Sequence, residues 1–259
     1  VSRADVFHVK RDARAPAGFF ACEAAGLHWL SAADGGVPCA RVVAVDEQSL
    51  TLERLTTAAP TERAAVAFGA RLARTHAAGA DGFGAPPQGW TAPAGFFGPL
   101  GRPLPMSYDR DASWGRFYAT RRLAPMAERA AVRLDAATRE AVQAVISRCL
   151  AGDFDDPAEQ PSRLHGDLWS GNVMWTPDGV VLIDPAAHGG HRETDLAMLA
   201  LFGCPHLDAV LDGYQSVRPL ADGWRGRVGL HQLYPLLAHV VLFGAGYVDQ
   251  THAAARGAL

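Results

Sequence analysis

The stretch from His165 to Asp184 constrains this chain more than any other. His165-Gly166-Asp167-Leu168-Trp169-Ser170-Gly171-Asn172 is polar, holds two glycines and has no helical period, so it is a loop. Two short apolar runs follow, Val173-Met174-Trp175 and Val180-Val181-Leu182-Ile183. Between them stands Thr176-Pro177-Asp178-Gly179, where Pro fixes φ and Gly accepts a positive φ. The two runs therefore form a β-hairpin, and Asp184 comes at the end of its second strand. A polar loop, a hairpin and an acid at its end bring Asp167, Asn172 and Asp184 around one point.

Each of these residues alone has an ordinary use. Asp167 suits a turn, His165 a satisfied core histidine, Asn172 a turn cap, and Asp184 before Pro185 the start of a loop. Together and in this order they match the needs of phosphoryl transfer from ATP. Magnesium is a hard cation that takes one or two protein oxygens, the rest coming from phosphates and water. Asn172 and Asp184 supply such oxygens. Asp167 is then left to orient an attacking hydroxyl and accept its proton. Asp-x-x-x-x-Asn is the spacing of a kinase catalytic loop.

Composition points to the other half of the site. The chain has 23 arginines and a single lysine, Lys10. Where Arg serves as the generic surface cation, the one Lys is a candidate for work that a rigid planar fork cannot do. Chance survival of one surface lysine is the alternative. Val6-Phe7-His8-Val9 before Lys10 is a short strand. From about Phe19 to Ala33 the pattern is helical, with Phe20, Leu27 and Leu30 on one stripe and Gly35-Gly36 as the stop. Glu23 falls on that apolar stripe, which is costly for a carboxylate unless it is paired or reaches solvent at the edge. A kinase needs a strand cation for the α- and β-phosphates and a helix glutamate to hold it. Lys10 and Glu23 fill those two places.

The rest of the chain sets the frame. Val42 to Val45 and Leu50 to Leu55 are strands around Asp46-Glu47-Gln48. The end of the second, Glu53-Arg54-Leu55, is where a hinge between lobes would set its backbone against adenine. A helix follows Pro60, through Ala64, Phe68, Leu72 and His76. Residues 79–106 are rich in Gly and Pro and carry Trp90, Phe96 and Phe97, a long ordered loop or insertion whose aromatics are placed to cover a substrate mouth. Helices are expected over 112–131, 135–151, 194–217 and 224–248. The order is a small β-rich part followed by a mostly helical part holding one hairpin, an α+β chain.

Several function classes are excluded. Net charge is −3 with the two signs mixed, so nucleic acid and anionic membranes are not expected partners. No apolar run has transmembrane length, and residues 1–20 lack a signal-peptide layout, so a cytoplasmic location is expected. Cys22, Cys39, Cys149 and Cys204 have no metal-ligand spacing and read as ordinary reduced thiols. The oligomeric state is not readable from the sequence, with a monomer favoured.

The stretch RLHGDLWSGNVMWTPDGVVLIDPAAHGGHRETDLAMLALFG resembles the fructosamine kinase (ketosamine-3-kinase) family, within the aminoglycoside-phosphotransferase-like kinases. HGDLxxGN fits that whole group. Trp169-Ser170, the IDPA after the hairpin and the GHRE-x-DLAM-x-x-LFG run are more specific. VFHVKRD, FFACEAAGLHWL and VPCARVVAV also resemble the family's N-lobe, so the likeness spans nearly the whole chain. It implies a bilobal protein-kinase-like fold, with a small β-rich N-lobe over 1–55 and a larger, mostly helical C-lobe over 56–259. It implies ATP- and Mg2+-dependent phosphorylation of a sugar hydroxyl, O3, on small-molecule ketoamines formed by glycation. The phosphorylated adduct then breaks down and frees the amine. By the same resemblance Asp167 is the base, Asn172 and Asp184 hold magnesium, and Lys10 with Glu23 anchors phosphate. Trp169 and His239 line the sugar pocket, although His239 among Leu236, Leu237 and Val240 also suits a core position. Asp195, opening the next helix, holds the catalytic loop in place.

Two features depart from the family pattern. No Gly-rich phosphate-covering loop precedes Lys10: either the given chain starts after it, or the N-lobe lacks its first strands and that loop. At 186–189 Ala-Ala-His-Gly replaces a more aromatic sequence, which bears on the sugar preferred. Two competing readings are a kinase for another hydroxyl compound, such as an aminoglycoside, amino alcohol or free sugar, and a non-catalytic nucleotide-binding pseudokinase.

Overall fold

The computed structural model describes residues 6–259; residues 1–5 of the expected N-lobe lie outside the described residues. Four elements come first: β1 (Phe7–Arg11), α1 (Phe19–Ser31), β2 (Val42–Val45) and β3 (Ser49–Glu53). The strands form one antiparallel sheet in the order β1-β3-β2. In the β1/β3 register Lys10 lies opposite Leu50 and His8 opposite Leu52. Antiparallel partners share a face, and Leu50 and Leu52 are buried. Lys10 is therefore on the inner face of the sheet, the face that α1 covers. Phe20, Glu23, Leu27 and Leu30 are all buried on α1.

The chain continues with α2 (Glu62–Ala77), the hairpin β4 (Ala94–Phe97) and β5 (Leu104–Ser107), then α3 (Trp114–Phe117), α4 (Ala124–Ala130) and α5 (Ala136–Ala151). A π-helical turn, Tyr118–Leu123, joins α3 to α4. Next come β6 (Ser162–Leu164), β7 (Val173–Thr176), β8 (Gly179–Leu182), β9 (His188–Gly190), α6 (Glu193–Leu201), α7 (Leu207–Gln215), α8 (Trp224–Phe243) and α9 (Val248–Gly257). Local chemistry sets several boundaries. Thr61 caps α2 through its hydroxyl on the Ala64 N–H, and Asp135 caps α5 on the Thr138 N–H. Gly152 closes α5 in the left-handed region at φ 82°. Helices α2 and α7 cross at Gly69 and Gly213, where an added Cβ would strike the carbonyls of Val210 and Val66.

The structure differs from the sequence expectation in four places. The 79–106 segment contains the β4/β5 hairpin. The helical stretch 194–217 is two helices, broken where Gly203 takes φ 76° and Pro205 follows. The last helical region runs on to Gly257. A two-stranded β6/β9 ladder pairs Ser162 with Gly190 and Leu164 with His188.

Two apolar clusters fill the interior. One joins Phe20, Leu27, Leu50 and Leu52 of the sheet and α1 to Phe68, Leu72, Leu168, Val173 and Leu182. The other lies among α3, α4, α5, α8 and α9. Backbone bonds reinforce the first junction: the Ala40 N–H donates to the Leu182 carbonyl at 2.9 Å, and the Leu182 N–H to the Pro38 carbonyl at 2.8 Å. Arg163, in the strand before the catalytic loop, donates to the Trp29 carbonyl near the end of α1 at 2.6 Å. The four cysteines are buried and free. No helix among the described residues is long and apolar enough to cross a membrane.

Glu193 at the start of α6 is buried and accepts two bonds from Arg227, at 2.8 and 2.6 Å. Burial alone would raise its pKa, but the nearby His231 imidazole, 3.4 Å away, and the bonds from Arg227 outweigh that and bring it down to about 2. The unfolded value is about 4.3, so the difference contributes on the order of 3 kcal/mol at neutral pH. A depressed folded pKa gives stability that is fully present above the unfolded value and is lost as pH falls toward 2. Glu193→Gln is therefore expected to be less stable than the parent by about that much at pH 7. Urea titrations should show the gap closing below pH about 4; a gap that stays constant with pH would contradict this account.

Candidate active site

The sequence-predicted residues come from separate elements and meet in one cavity of about 550 Å³. Lys10 arrives from β1 and Glu23 from α1, while Asp167 and Asn172 come from the loop after β6 and Asp184 from just past β8. Trp169 and His239 also line the cavity. The Lys10 ammonium donates to Glu23 Oε1 at 2.6 Å and to Asp184 Oδ1. Burial works to lower the Lys10 pKa, but the charges of Glu23 and Asp184 outweigh it and hold the ammonium above its ordinary range. Glu23 is raised, chiefly by its burial, with Lys10 pulling the other way. One lysine thus bridges the helix glutamate and the acid after the hairpin.

Asp184 is one of two non-glycine residues with positive φ among the described residues, at 56°. Its neighbours hold it there. The Ile183 N–H donates to the Asn172 carbonyl at 3.2 Å, and His165 Nε2–H donates to the Ile183 carbonyl at 2.8 Å. His165 Nδ1 is then free to accept from the Asp167 N–H at 3.3 Å. His165 is buried and spends both ring nitrogens on backbone, the satisfied core position that the sequence favoured for it. The loop also needs Gly166, whose φ is 81° and where an added Cβ would strike the Ala186 carbonyl.

The Asn172 amide donates to the Asp167 carbonyl at 2.7 Å, to Asp167 Oδ2 at 3.5 Å and to the Asp184 carbonyl at 3.4 Å. Its N–H groups are occupied, which leaves Oδ1 as the atom it can offer a cation. Burial first, then the charges of Asp184 and Asp195, push the Asp167 carboxyl up to about 7, against the Asn172 hydrogen bond. A proton acceptor works best when its pKa is near the operating pH.

Asp195 at the start of α6 is fully buried. Its carboxylate accepts the N–H groups of His165 at 2.8 Å and Gly166 at 2.9 Å, and His76 Nε2–H at 3.2 Å. His76 Nδ1 meets the Tyr214 hydroxyl at 2.8 Å. Glu53 and Leu55 stand apart from the cavity lining. Glu53 ends β3 with its carboxylate on the Arg41 N–H at 3.0 Å, and Leu55 packs against the first apolar cluster. Any adenine contact from this segment is therefore a backbone matter.

The sequence reading passed over part of the wall. Phe202, Phe243 and Tyr247 line the cavity beside His239, whereas Phe96 and Phe97 of β4 line it from the 79–106 insertion, whose aromatics the sequence set at the substrate mouth. A signal for the first group was present: Pro235, His239, Phe243 and Tyr247 recur every four residues, one helix face.

A lysine–glutamate pair under a small sheet, with a carboxylate–asparagine loop and a post-hairpin acid, defines a small-molecule kinase of protein-kinase-like, bilobal α+β fold. A choline/ethanolamine kinase family protein from Mesorhizobium loti shares that fold at 14% identity, with a TM-score of 0.62 over 99% of this chain and 83% of that one. The chain belongs to the fructosamine kinase family, whose description, "Fructosamine kinase", matches residues 2–259. A Thermobifida fusca structure named "putative fructosamine-3-kinase" is 47% identical, with a TM-score of 0.88 over 97% of this chain and 85% of that one. A Thermus thermophilus protein named "Probable ketoamine kinase" is 35% identical over 249 residues, 96% of this chain and 86% of the relative. Several other curated relatives align over only 31% to 52% of their own length.

Proposed function

We propose that this chain transfers the γ-phosphoryl group of ATP to O3 of a small-molecule ketosamine with the aid of magnesium. The observation that carries this reading is the Lys10 bridge between Glu23 and Asp184, in the same cavity as Asp167 and Asn172. We take residues 1–55 as the small lobe and 56–259 as the large one. The donor set suits magnesium, since Asn172 Oδ1 and the Asp184 carboxylate are hard oxygens. Bound there, the ion would neutralise phosphate charge. Lys10, steered by Glu23, would rest on the α- and β-phosphates, and the backbone from Glu53 to Leu55 would face adenine.

Asp167 would orient the O3 hydroxyl and take its proton as the oxygen bonds to the γ-phosphorus. The bond from that phosphorus to the β-phosphate oxygen breaks, leaving ADP and a 3-phosphoketosamine. Trp169 and His239 would hold the sugar, and Asp195 would fix the loop through the His165 and Gly166 amides. The family names of the relatives support the ketoamine as acceptor.

The test is a kinase assay with ATP, magnesium and a panel of ribosyl-, erythrulosyl- and fructosyl-amines, with aminoglycosides as controls and the phosphate position read by NMR. Turnover of aminoglycosides alone would sink the ketosamine reading, and ATP binding without turnover of any acceptor would point to a pseudokinase. Lys10→Arg keeps the charge but cannot place one compact ammonium between two carboxylates. It is expected to lower kcat/KM by about 10- to 100-fold. Unchanged steady-state kinetics would mean that the single lysine is incidental.

A further inference from the structure

Resting on the ketosamine reading above, we infer that the rings of Phe202, Phe243 and Tyr247, gathered around His239, form the subsite for the substrate's amine and hold its ammonium on their faces. A ketosamine carries a secondary amine on C1, protonated at neutral pH and only three bonds from C3. With O3 at Asp167, that cation must sit in the same cavity.

The cavity has no spare acid for it. Among the described residues its carboxylates are Glu23, Asp167 and Asp184. Glu23 and Asp184 share Lys10, and Asp167 has the hydroxyl to serve. What remains near His239 is aromatic. The His239 ring lies 4.8 Å from Phe202, 5.2 Å from Phe243 and 5.0 Å from Tyr247, and Phe243 is 6.2 Å from Tyr247. The four contacts are tilted, with interplanar angles from 40° to 56°, so the rings are inclined to one another and not stacked. Ring faces carry negative potential, and aromatic clusters bind alkylated ammonium groups.

Two further observations fit a cation. Phe243 lines this cavity and is 60% exposed, so its ring is open to a ligand. His239 Nδ1–H donates to the Pro235 carbonyl at 2.7 Å, and burial holds its pKa below the ordinary range. The imidazole is therefore neutral, does not repel an ammonium, and presents Nε2 as a lone-pair acceptor for an N–H. Four-residue spacing on α8 brings Pro235, His239 and Phe243 to one face, and the turn after Gly244 adds Tyr247.

The test compares two acceptors that differ in one atom, an N-butyl fructosamine and the 1-O-butyl ether of fructose. The readout is the amine-to-ether ratio of kcat/KM for the parent, Phe243→Leu, Tyr247→Leu and Phe243→Tyr. The parent is expected to favour the amine. Each Leu variant should lower the ratio roughly tenfold, and Phe243→Tyr should keep it, because a ring face is what matters. A parent without preference, or Leu variants whose ratio is unchanged because both acceptors suffer equally, would overturn the subsite. If the parent turns over neither acceptor but phosphorylates an aminoglycoside, the ketosamine reading itself fails and the subsite with it.

Discussion

Asp167→Asn is expected to lower kcat by about 10²- to 10⁴-fold, the usual range for a lost general base, while ATP affinity stays within a few-fold. The substitution is isosteric, and the strongest local restraint on the residue is its backbone carbonyl, which accepts from the Asn172 amide at 2.7 Å. That bond survives, as does the His165 Nδ1 contact to the residue 167 N–H. Lys10, Glu23 and Asp184 are untouched. What disappears is the carboxylate that lifts a proton from the acceptor, together with its repulsion toward Asp184 and Asp195. Thermal stability should therefore be unchanged or slightly higher, and calorimetry with and without ATP separates this outcome from misfolding. Retention of more than about a tenth of parental kcat in a folded variant would remove Asp167 from the role of base.

The parts of the site legible in the sequence were those with a local mechanism. Thr176-Pro177-Asp178-Gly179 specifies its turn by itself, so the β7/β8 hairpin and the place of Asp184 could be read directly. Lys10 and Glu23 were legible because each was anomalous, one as the sole lysine and the other as an acid on an apolar stripe; the structure brings them to 2.6 Å. Long-range pairing left no such mark. Ser162–Leu164 and His188–Gly190 are three-residue strands, too short for alternation to show, and the β7/β8 hairpin separates them in the chain. The break at Gly203 and Pro205 was written in the chain but lay inside a strongly apolar run. Phe202, Phe243 and Tyr247 were not singled out, because helical spacing does not say whether the face it defines meets protein or a cavity.

Asp195→Ala is expected to be the most damaging substitution to stability, by an order-of-magnitude estimate of about 3–5 kcal/mol. The carboxylate is fully buried, so bulk water does not reach the donors that its removal leaves. Three donors lose their acceptor at once, the His165 and Gly166 amides and His76 Nε2–H. Buried donors without partners each cost about 1–3 kcal/mol. Against its burial, which favours the neutral acid, bonds and charge from His76 and the nearby backbone hold the Asp195 pKa below its ordinary value. The group is therefore ionised in the folded state and is bound more firmly there than in the unfolded chain. A loss of this size in a chain of this length corresponds to a fall in Tm of roughly 10 °C. Asp195→Asn keeps one acceptor oxygen and turns the other into a donor facing an N–H, so an intermediate loss is expected. A merely structural role would show only in Tm. Because the two amides belong to the residues immediately before Asp167, kcat measured well below the new Tm should also fall, with KM for ATP little changed. An alanine variant with parental Tm, or one that is destabilised yet turns over at the parental rate at low temperature, would leave the loop positioned by something other than Asp195.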